Sequence, residues 1–516
     1  MTELSSGDQP MIRIGQRALT GIGWESLNRV GRQLVQFGIS ILLARLLLPE
    51  AYGLVGMATV FVALFQQFGE LGLGGAIVQQ KNVTREQLAS IFWLNLTMGA
   101  AMLGLAWVVG PLVAEFYHAP EIYPLFLASS AGVILRIPCV IPRALLYKNM
   151  EFKKIFFLDW ASSLLGGGAS IAMALMGWGA WSLVGGSLIS SIVTSVMVWI
   201  FSAWRPSLAW APGSLKTILS FSVYYLGVQV VQYLSGHLDY LIIGRFFSAE
   251  LLGLYTLAFN LMDLLRLQLV LTVMAVMFPV FAHLQDDEQG THVALSRSLL
   301  AISLAAFPAL AGLGAVAPEF IGVFYGPHWS GSVAALQLLV IGGIAAAVDL
   351  APTLMIARGK ARRAFALNLF RVVTFFGSVM IGLPGGIYLI ALTVSLHSIG
   401  MAVISQLIAR RLVGFTIRQF GKAIAPAAFG SVIMVITLAG LRVGLIGLSA
   451  TPALALIVQI VIGAAVYALA LYLWPGAEAR QMAVWLQARV PLLQRVILVN
   501  RIMAHWERRG KAAPAP

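Results

Sequence analysis

Apolar residues fill this chain in runs of roughly twenty to thirty, separated by short polar or basic stretches, and runs of that length can cross about 30 Å of hydrocarbon as helices. The pattern predicts an all-α polytopic membrane protein with about fourteen transmembrane helices. They cover approximately residues 18–47, 52–78, 87–114, 121–146, 155–176, 180–203, 216–246, 251–281, 294–316, 332–356, 364–383, 386–409, 423–442 and 452–474. The first is unlike the others. Within Gly21 to Leu48, Glu25, Arg29, Arg32 and Gln36 step by four, three and four residues, and Ser40 continues the series, so all five share one helical face. An ionised side chain near the middle of a bilayer costs roughly 3 kcal/mol, so this stripe is expected to face protein or a water-filled cavity.

The basic residues set an orientation. With the N-terminus inside, 26 of the 34 Lys and Arg residues fall in predicted cytoplasmic segments, from Arg13 and Arg17 through the Arg358–Arg363 and Arg410–Lys422 stretches to seven in the tail. The outer loops Val113–Tyr123 and Pro318–Gly331 carry none. That asymmetry predicts an even number of spans and both termini in the cytoplasm. The net charge of +14 then reflects this bias and contact with anionic lipid, and does not point to nucleic acid.

Composition agrees with the pattern: 59% of residues are hydrophobic, 10% are charged, and mean hydropathy is +0.88. The single cysteine, Cys139, leaves no internal disulfide and no thiol-based metal cluster. The polar start, Met1 to Gln9, lacks a cleavable signal pattern, so the first span is expected to be retained.

An internal repeat organises the rest. Arg45, Glu50, Gly53 and Leu54 recur as Arg245, Glu250, Gly253 and Leu254 at one offset, which also maps Arg29 to Gln229, Arg32 to Gln232 and Glu25 to Tyr225. A second echo joins Pro142–Lys154 with Pro352–Ala364, where Lys148 matches Arg358 and Lys153 matches Arg363. The expected organisation is a cytoplasmic tail at 1–17, a six-helix lobe at 18–203, a cytoplasmic linker at 204–215, a second six-helix lobe at 216–409, two further helices within 410–474, and an amphipathic tail at 475–516 with a disordered end. Six spans separate the repeats, so the two lobes are pseudo-symmetric parallel repeats suited to rocking about a central site.

The stretches Leu42–Leu54, Gly72–Gln79, Phe92–Leu96, Ile141–Lys154, Gly244–Met262 and Phe278–Asp287 resemble the polysaccharide transporter branch of the oligosaccharide flippases, in the multidrug, oligosaccharidyl-lipid and polysaccharide exporter superfamily. The resemblance covers nearly the whole chain. It implies a two-lobed helical transporter of the bacterial inner membrane, not an enzyme. Its cargo would be polyprenyl-diphosphate-linked oligosaccharide repeat units for exopolysaccharide or lipopolysaccharide synthesis, with colanic-acid exporters nearest in pattern and polymerase or export machinery as a candidate partner.

The residues supply chemistry that suits such a cargo. A diphosphate is matched by guanidinium groups, which stay charged and donate paired hydrogen bonds. Arg29 and Arg32 are the first candidates, with Arg266 and Arg371 from the eighth and eleventh spans. The competing reading is structural: Arg32 pairs with Glu25 or another buried acid, and Asp263, one turn away, neutralises Arg266. Gln36, Gln229 and Gln232 are candidates for sugar hydroxyls, or for bonds between helices. Among the intramembrane acids Asp159, Asp239, Asp263, Asp349 and Glu70, Asp239 with Asn368 is the candidate for coupling to Na+ or H+, against a salt bridge to a neighbouring arginine. No nucleotide-binding loop, cofactor site or firm metal site is present in the sequence. The alternatives are an exporter of organic cations from the same superfamily and, further off, a polytopic glycan polymerase or ligase.

Overall fold

The computed structural model describes residues 31–70, 84–209, 236–447 and 451–474, with Trp24, Leu27, Asn28, 229–231, Tyr233 and Ser449. Glu25, Arg29 and Gln232, both tails and part of the 204–215 linker lie outside the described residues. Every described element is a helix. In order they are α1 (31–46), α2 (Pro49–Glu70), α3 (Arg85–Tyr117), α4 (Ile122–Arg136), α5 (Val140–Lys148), α6 (Phe152–Leu175), α7 (Ala180–Phe201) and α8 (236–246). They continue as α9 (Ala249–His283), α10 (Glu288–Ala315), α11 (Ala317–Phe324), α12 (Ser332–Ala347), α13 (Ala351–Ala357), α14 (Ala361–Gly382), α15 (Gly386–Val413), α16 (Ile417–Gly447) and α17 (Pro452–Leu473).

Local sequence explains where these helices begin. Thr84 and Gln87 form a reciprocal capping box at α3, and Asp287 accepts the Gly290 amide at α10. At α17 the Thr451 hydroxyl accepts from the Leu454 amide and Pro452 takes the first turn, where its missing N–H is harmless. Eleven segments among the described residues are helical, long and apolar enough to cross a bilayer. Their outward side chains are themselves apolar, such as Trp107, Leu112, Val196, Ile381 and Ile436, each more than half exposed. Water is a poor neighbour for such a surface and lipid a good one.

Two spans are broken in midcourse. Between α4 and α5 the chain tightens into a 3-10 turn at Ile137–Cys139, around Pro138. Between α12 and α13 it leaves the helix at 348–350, just before Pro352. Proline removes one amide from the ladder and clashes with the preceding turn, which accounts for the interruption in each case.

The chain divides into two compact units, Met1–Thr256 and Leu257–Pro516, with the division falling inside α9. In the first unit, α6 and α7 approach closely through small residues: a methyl added to Gly166 would meet Ser190 Cβ at 2.6 Å. Beyond α7, the Arg205 guanidinium donates to the carbonyls of Ser202, Trp204 and Trp199 and lies 5.7 Å from the Trp199 ring. A cation thus closes the carbonyl end of that helix.

The repeat in the sequence has a local counterpart in this unit. Helix α1 ends at position 46 and α2 starts at Pro49, just as α8 ends at position 246 and α9 starts at Ala249. Gly53 packs on the Ala249 carbonyl while Gly253 packs on the Pro49 carbonyl, so each repeated glycine admits the other repeat's helix start. A methyl group at either position would overlap a carbonyl oxygen. Gly53→Ala and Gly253→Ala are each expected to destabilise the purified protein by about 1–3 kcal/mol through overpacking. Gly56→Ala, whose nearest neighbour would stand at 3.7 Å, is expected to be neutral or mildly stabilising. Thermal unfolding of the three variants in detergent measures the contrast.

Candidate functional site

Two groups of charged side chains inside the spans, one in each unit, contain the candidate arginines. In the first unit the centre is Asp159 on α6, 4% exposed. Asn28 Nδ2 donates to its Oδ2 at 3.0 Å, and Arg143 Nη2, from the short helix α5, donates to Oδ1 at 2.8 Å. Arg32 Nη1 stands 3.7 Å from Oδ2, within ion-pair reach but beyond hydrogen-bond length. Among the described residues, two guanidiniums and one carboxylate leave one positive charge in excess. Both arginine side chains are only partly covered, 32% exposed for Arg143 and 42% for Arg32. They can therefore meet a further anion without giving up the Asp159 contact. Asn28 adds a spare acceptor, since its Oδ1 is buried without a partner among the described residues.

The local fold presents these groups together. Trp24 packs edge-on against Phe156 of α6, and Phe156 stacks beside Trp160, while Gly31 of α1 lies against the Trp160 ring. The aromatic face of α6 thereby brings α1 alongside it, with Arg32 on the side of Asp159. Further along the stripe Gln36 is exposed, and Ser40 bonds back to the Phe37 carbonyl of its own helix. Arg143 did not figure among the expected site residues, because its place beside Lys148, Lys153 and Lys154 reads as a cytoplasmic charge. The available signal was Asp159, an acid in an otherwise apolar span that needs a counter-ion.

In the second unit, Arg371 on α14 pairs with Asp349, which sits in the break between α12 and α13 with its side chain 8% exposed. Asp349 Oδ1 and Arg371 Nε are buried without hydrogen-bond partners among the described residues. Arg266 donates through Nε to Asp263 Oδ1 at 3.0 Å, one turn earlier on α9. Both arginines expected to meet a diphosphate from this half therefore have a carboxylate on hand, and the two pairs sum to zero charge. His397 is linked to the Thr374 hydroxyl at 2.9 Å, and Asn368 lies half-buried one turn before Arg371.

Asp239 is fully buried in the first unit. Its Oδ2 accepts the Tyr255 hydroxyl at 2.8 Å and its Oδ1 accepts the Tyr240 amide at 3.0 Å. Aromatic rings surround it, with His237 stacked on Tyr233 at 4.4 Å. Gln229 is half-buried on the same stretch of chain. Among the described residues no group of three or more His, Cys, Asp or Glu side chains is placed to hold a metal.

Known proteins resemble the chain in sequence and fold. A family model described as "Polysaccharide biosynthesis protein" matches residues 42–334. The lipopolysaccharide biosynthesis protein WzxC of Escherichia coli is 27% identical over 71% of this chain and 75% of its own length. The teichuronic acid biosynthesis protein TuaB of Bacillus subtilis is 25% identical over 79% of this chain and 84% of its own. Among solved structures, the lipid II flippase MurJ in an inward closed conformation shares the fold with a TM-score of 0.69 at 15% identity, covering 86% of this chain and 97% of that one. An inward-facing multidrug resistance transporter of the MATE family gives a TM-score of 0.59 at 16% identity, over 77% and 98%. The family model spans more than half of the chain, and the chain belongs to the polysaccharide biosynthesis protein family.

Proposed function

We propose that the protein is a flippase that moves polyprenyl-diphosphate-linked saccharide repeat units across the bacterial inner membrane, for exopolysaccharide or lipopolysaccharide synthesis. One observation carries the reading: Arg32 and Arg143 converge on the single carboxylate of Asp159, two cations to one anion among the described residues of a membrane-crossing unit. Only the diphosphate and glycan of such a cargo need shielding from hydrocarbon, and a diphosphate is the anion that two forked guanidiniums recognise well. Asp159 orients the pair and offsets one charge, so that the site holds the cargo without trapping it.

The proposal includes fourteen spans, both termini in the cytoplasm, and alternation of two pseudo-symmetric lobes about the polar path. It keeps Arg29, Gln36, Gln229 and Gln232 as cargo contacts beside Arg32. Arg266 and Arg371 would join them only by exchanging a carboxylate for the phosphate. Coupling to Na+ or H+ through Asp239 and Asn368 also belongs to it, and would require the Tyr255 hydroxyl to yield one oxygen of Asp239. An exporter of organic cations would want carboxylates in excess at the site, the reverse of what surrounds Asp159.

The test is movement of a fluorescent polyprenyl-diphosphate oligosaccharide across sealed proteoliposomes. Arg32→Ala is expected to lower the initial rate about tenfold, the value of one charge-assisted hydrogen bond, with little change in thermal stability. Arg143→Ala is expected to lower both, costing on the order of 2 kcal/mol of stability, because it removes the nearest counter-ion of a buried acid. Transport undiminished by Arg32→Ala, or no transport of any diphosphate-linked glycan, defeats the reading, and uptake of cationic dyes instead would install the organic-cation alternative.

The Asp349–Arg371 pair generates a separate expectation. Asp349→Asn and Arg371→Gln should each destabilise the protein more than half as much as the double variant does, since each single change strands a charge that the double change removes. A coupling of about 1–3 kcal/mol in a double-mutant cycle, read from thermal unfolding, is the expected size.

A further inference from the structure

The end of α15 carries a second feature that the transport reading leaves unused. Three of its last four carbonyls are already met: Arg358 Nη1 donates to the Leu412 carbonyl at 2.9 Å, a ring nitrogen of His292 meets the Val413 carbonyl, and the Gly414 amide returns to the Arg410 carbonyl. Capping therefore makes little demand on the side chains of Arg410 and Arg411. Both are exposed, and neither has an ion pair or side-chain hydrogen bond to a described residue. The Arg358 guanidinium beside them has Nε and Nη2 buried without partners among the described residues.

The two neighbouring stretches, residues 357–364 and 409–422, hold eight Lys and Arg residues and no Asp or Glu. A cavity of about 540 Å³ opens here, and its described lining is Ile404, Leu407, Ile408, Arg410 and Arg411. It is cationic at one end and aliphatic along the helix, with Leu407 half exposed. A free anion would use the arginines and leave the aliphatic wall bare; a neutral lipid would do the reverse.

We propose that this pocket binds one anionic phospholipid, with the phosphate held by Arg410 and Arg411 and the start of an acyl chain laid along Ile404, Leu407 and Ile408. The volume exceeds what a phosphate fills and suits a headgroup with its first methylenes. Each basic side chain near a membrane surface strengthens anion binding several-fold, so the pair is expected to favour a charged headgroup over a neutral one by on the order of tenfold. A polyprenyl diphosphate shares the chemistry of phosphate joined to hydrocarbon, and the test separates the two.

Native mass spectrometry of the full chain, released from mild detergent with added phosphatidylglycerol or phosphatidylcholine of identical acyl chains, reads the preference. The native protein is expected to retain phosphatidylglycerol on the order of tenfold better, and Arg410→Ala with Arg411→Ala to reduce it to the level of phosphatidylcholine. Because those changes also touch the charges that orient the chain, Leu407→Trp supplies an independent arm. It keeps both cations, fills the aliphatic slot, and is expected to lose the lipid with its thermal unfolding unchanged. Equal retention of the two lipids by the native protein, or a preference that survives both variants, overturns the proposal. Displacement of phosphatidylglycerol by inorganic diphosphate or by an equimolar polyprenyl diphosphate overturns it too, reassigning the pocket to a free anion or to the cargo.

Discussion

A carboxylate inside a membrane-crossing helix must find a cation, because an unpaired charge in hydrocarbon costs several kcal/mol and no water is at hand to screen it. Among the described residues, Asp159 and Asp349 answer that constraint beside interruptions of the backbone. Each pairs with an arginine of an adjacent segment, and in each pair one partner lies in or just after the place where a membrane helix is interrupted. The ion pair then ties the broken segment to the helix that follows it.

The two units reach this solution with opposite polarity. In the first, the short helix after the break supplies the cation, Arg143, and the following helix α6 supplies Asp159. In the second, the break itself supplies the anion, Asp349, and the following helix α14 supplies Arg371. The echo between Pro142–Lys154 and Pro352–Ala364 thus preserves the proline, the basic loop and the turn, and leaves the charges free to exchange sides. What distinguishes the units chemically is the second guanidinium: Arg32 joins the Asp159 pair and makes it net cationic, whereas Asp263 keeps the second unit's arginines balanced. Breaking such a pair is costly while its net contribution to stability is small.

Packing against lipid sets the rest. Outward faces are Leu, Val, Ile and Phe, and helix contacts rely on small residues such as Gly53, Gly253, Gly166 and Ser190, because hydrocarbon offers no solvent-driven force to push helices together. Tryptophan and arginine serve at the helix ends, as at Arg205 over Trp199. The same economy of charge makes Arg410 and Arg411 at the end of α15 stand out, since neither has an ion pair among the described residues and three of the last four carbonyls are already provided for.

The sequence by itself determined the all-helical membrane class and the place of many of the spans. Runs of apolar residues must become helices in a bilayer, since the backbone has no other way to satisfy its own hydrogen bonds, and so segments such as 87–114, 180–203 and 452–474 were legible to within a few residues. The repeated Arg, Glu and Gly were equally plain, and the polar stripe identified Arg32 as a residue that must face something other than lipid. What it faces was decided only by tertiary structure. Asp159 lies far along the chain from Arg32, and sixteen residues from Arg143, so neither helical periodicity nor local spacing links them. Pairings of that kind depend on which faces of two helices meet, a matter settled by ring packing at Trp24, Phe156 and Trp160 and by the glycine opposite them. For the same reason the sequence could nominate Asp239 as a coupling acid but could not show its carboxylate already occupied by Tyr255 and Tyr240, a hydroxyl and an amide brought to it by the fold.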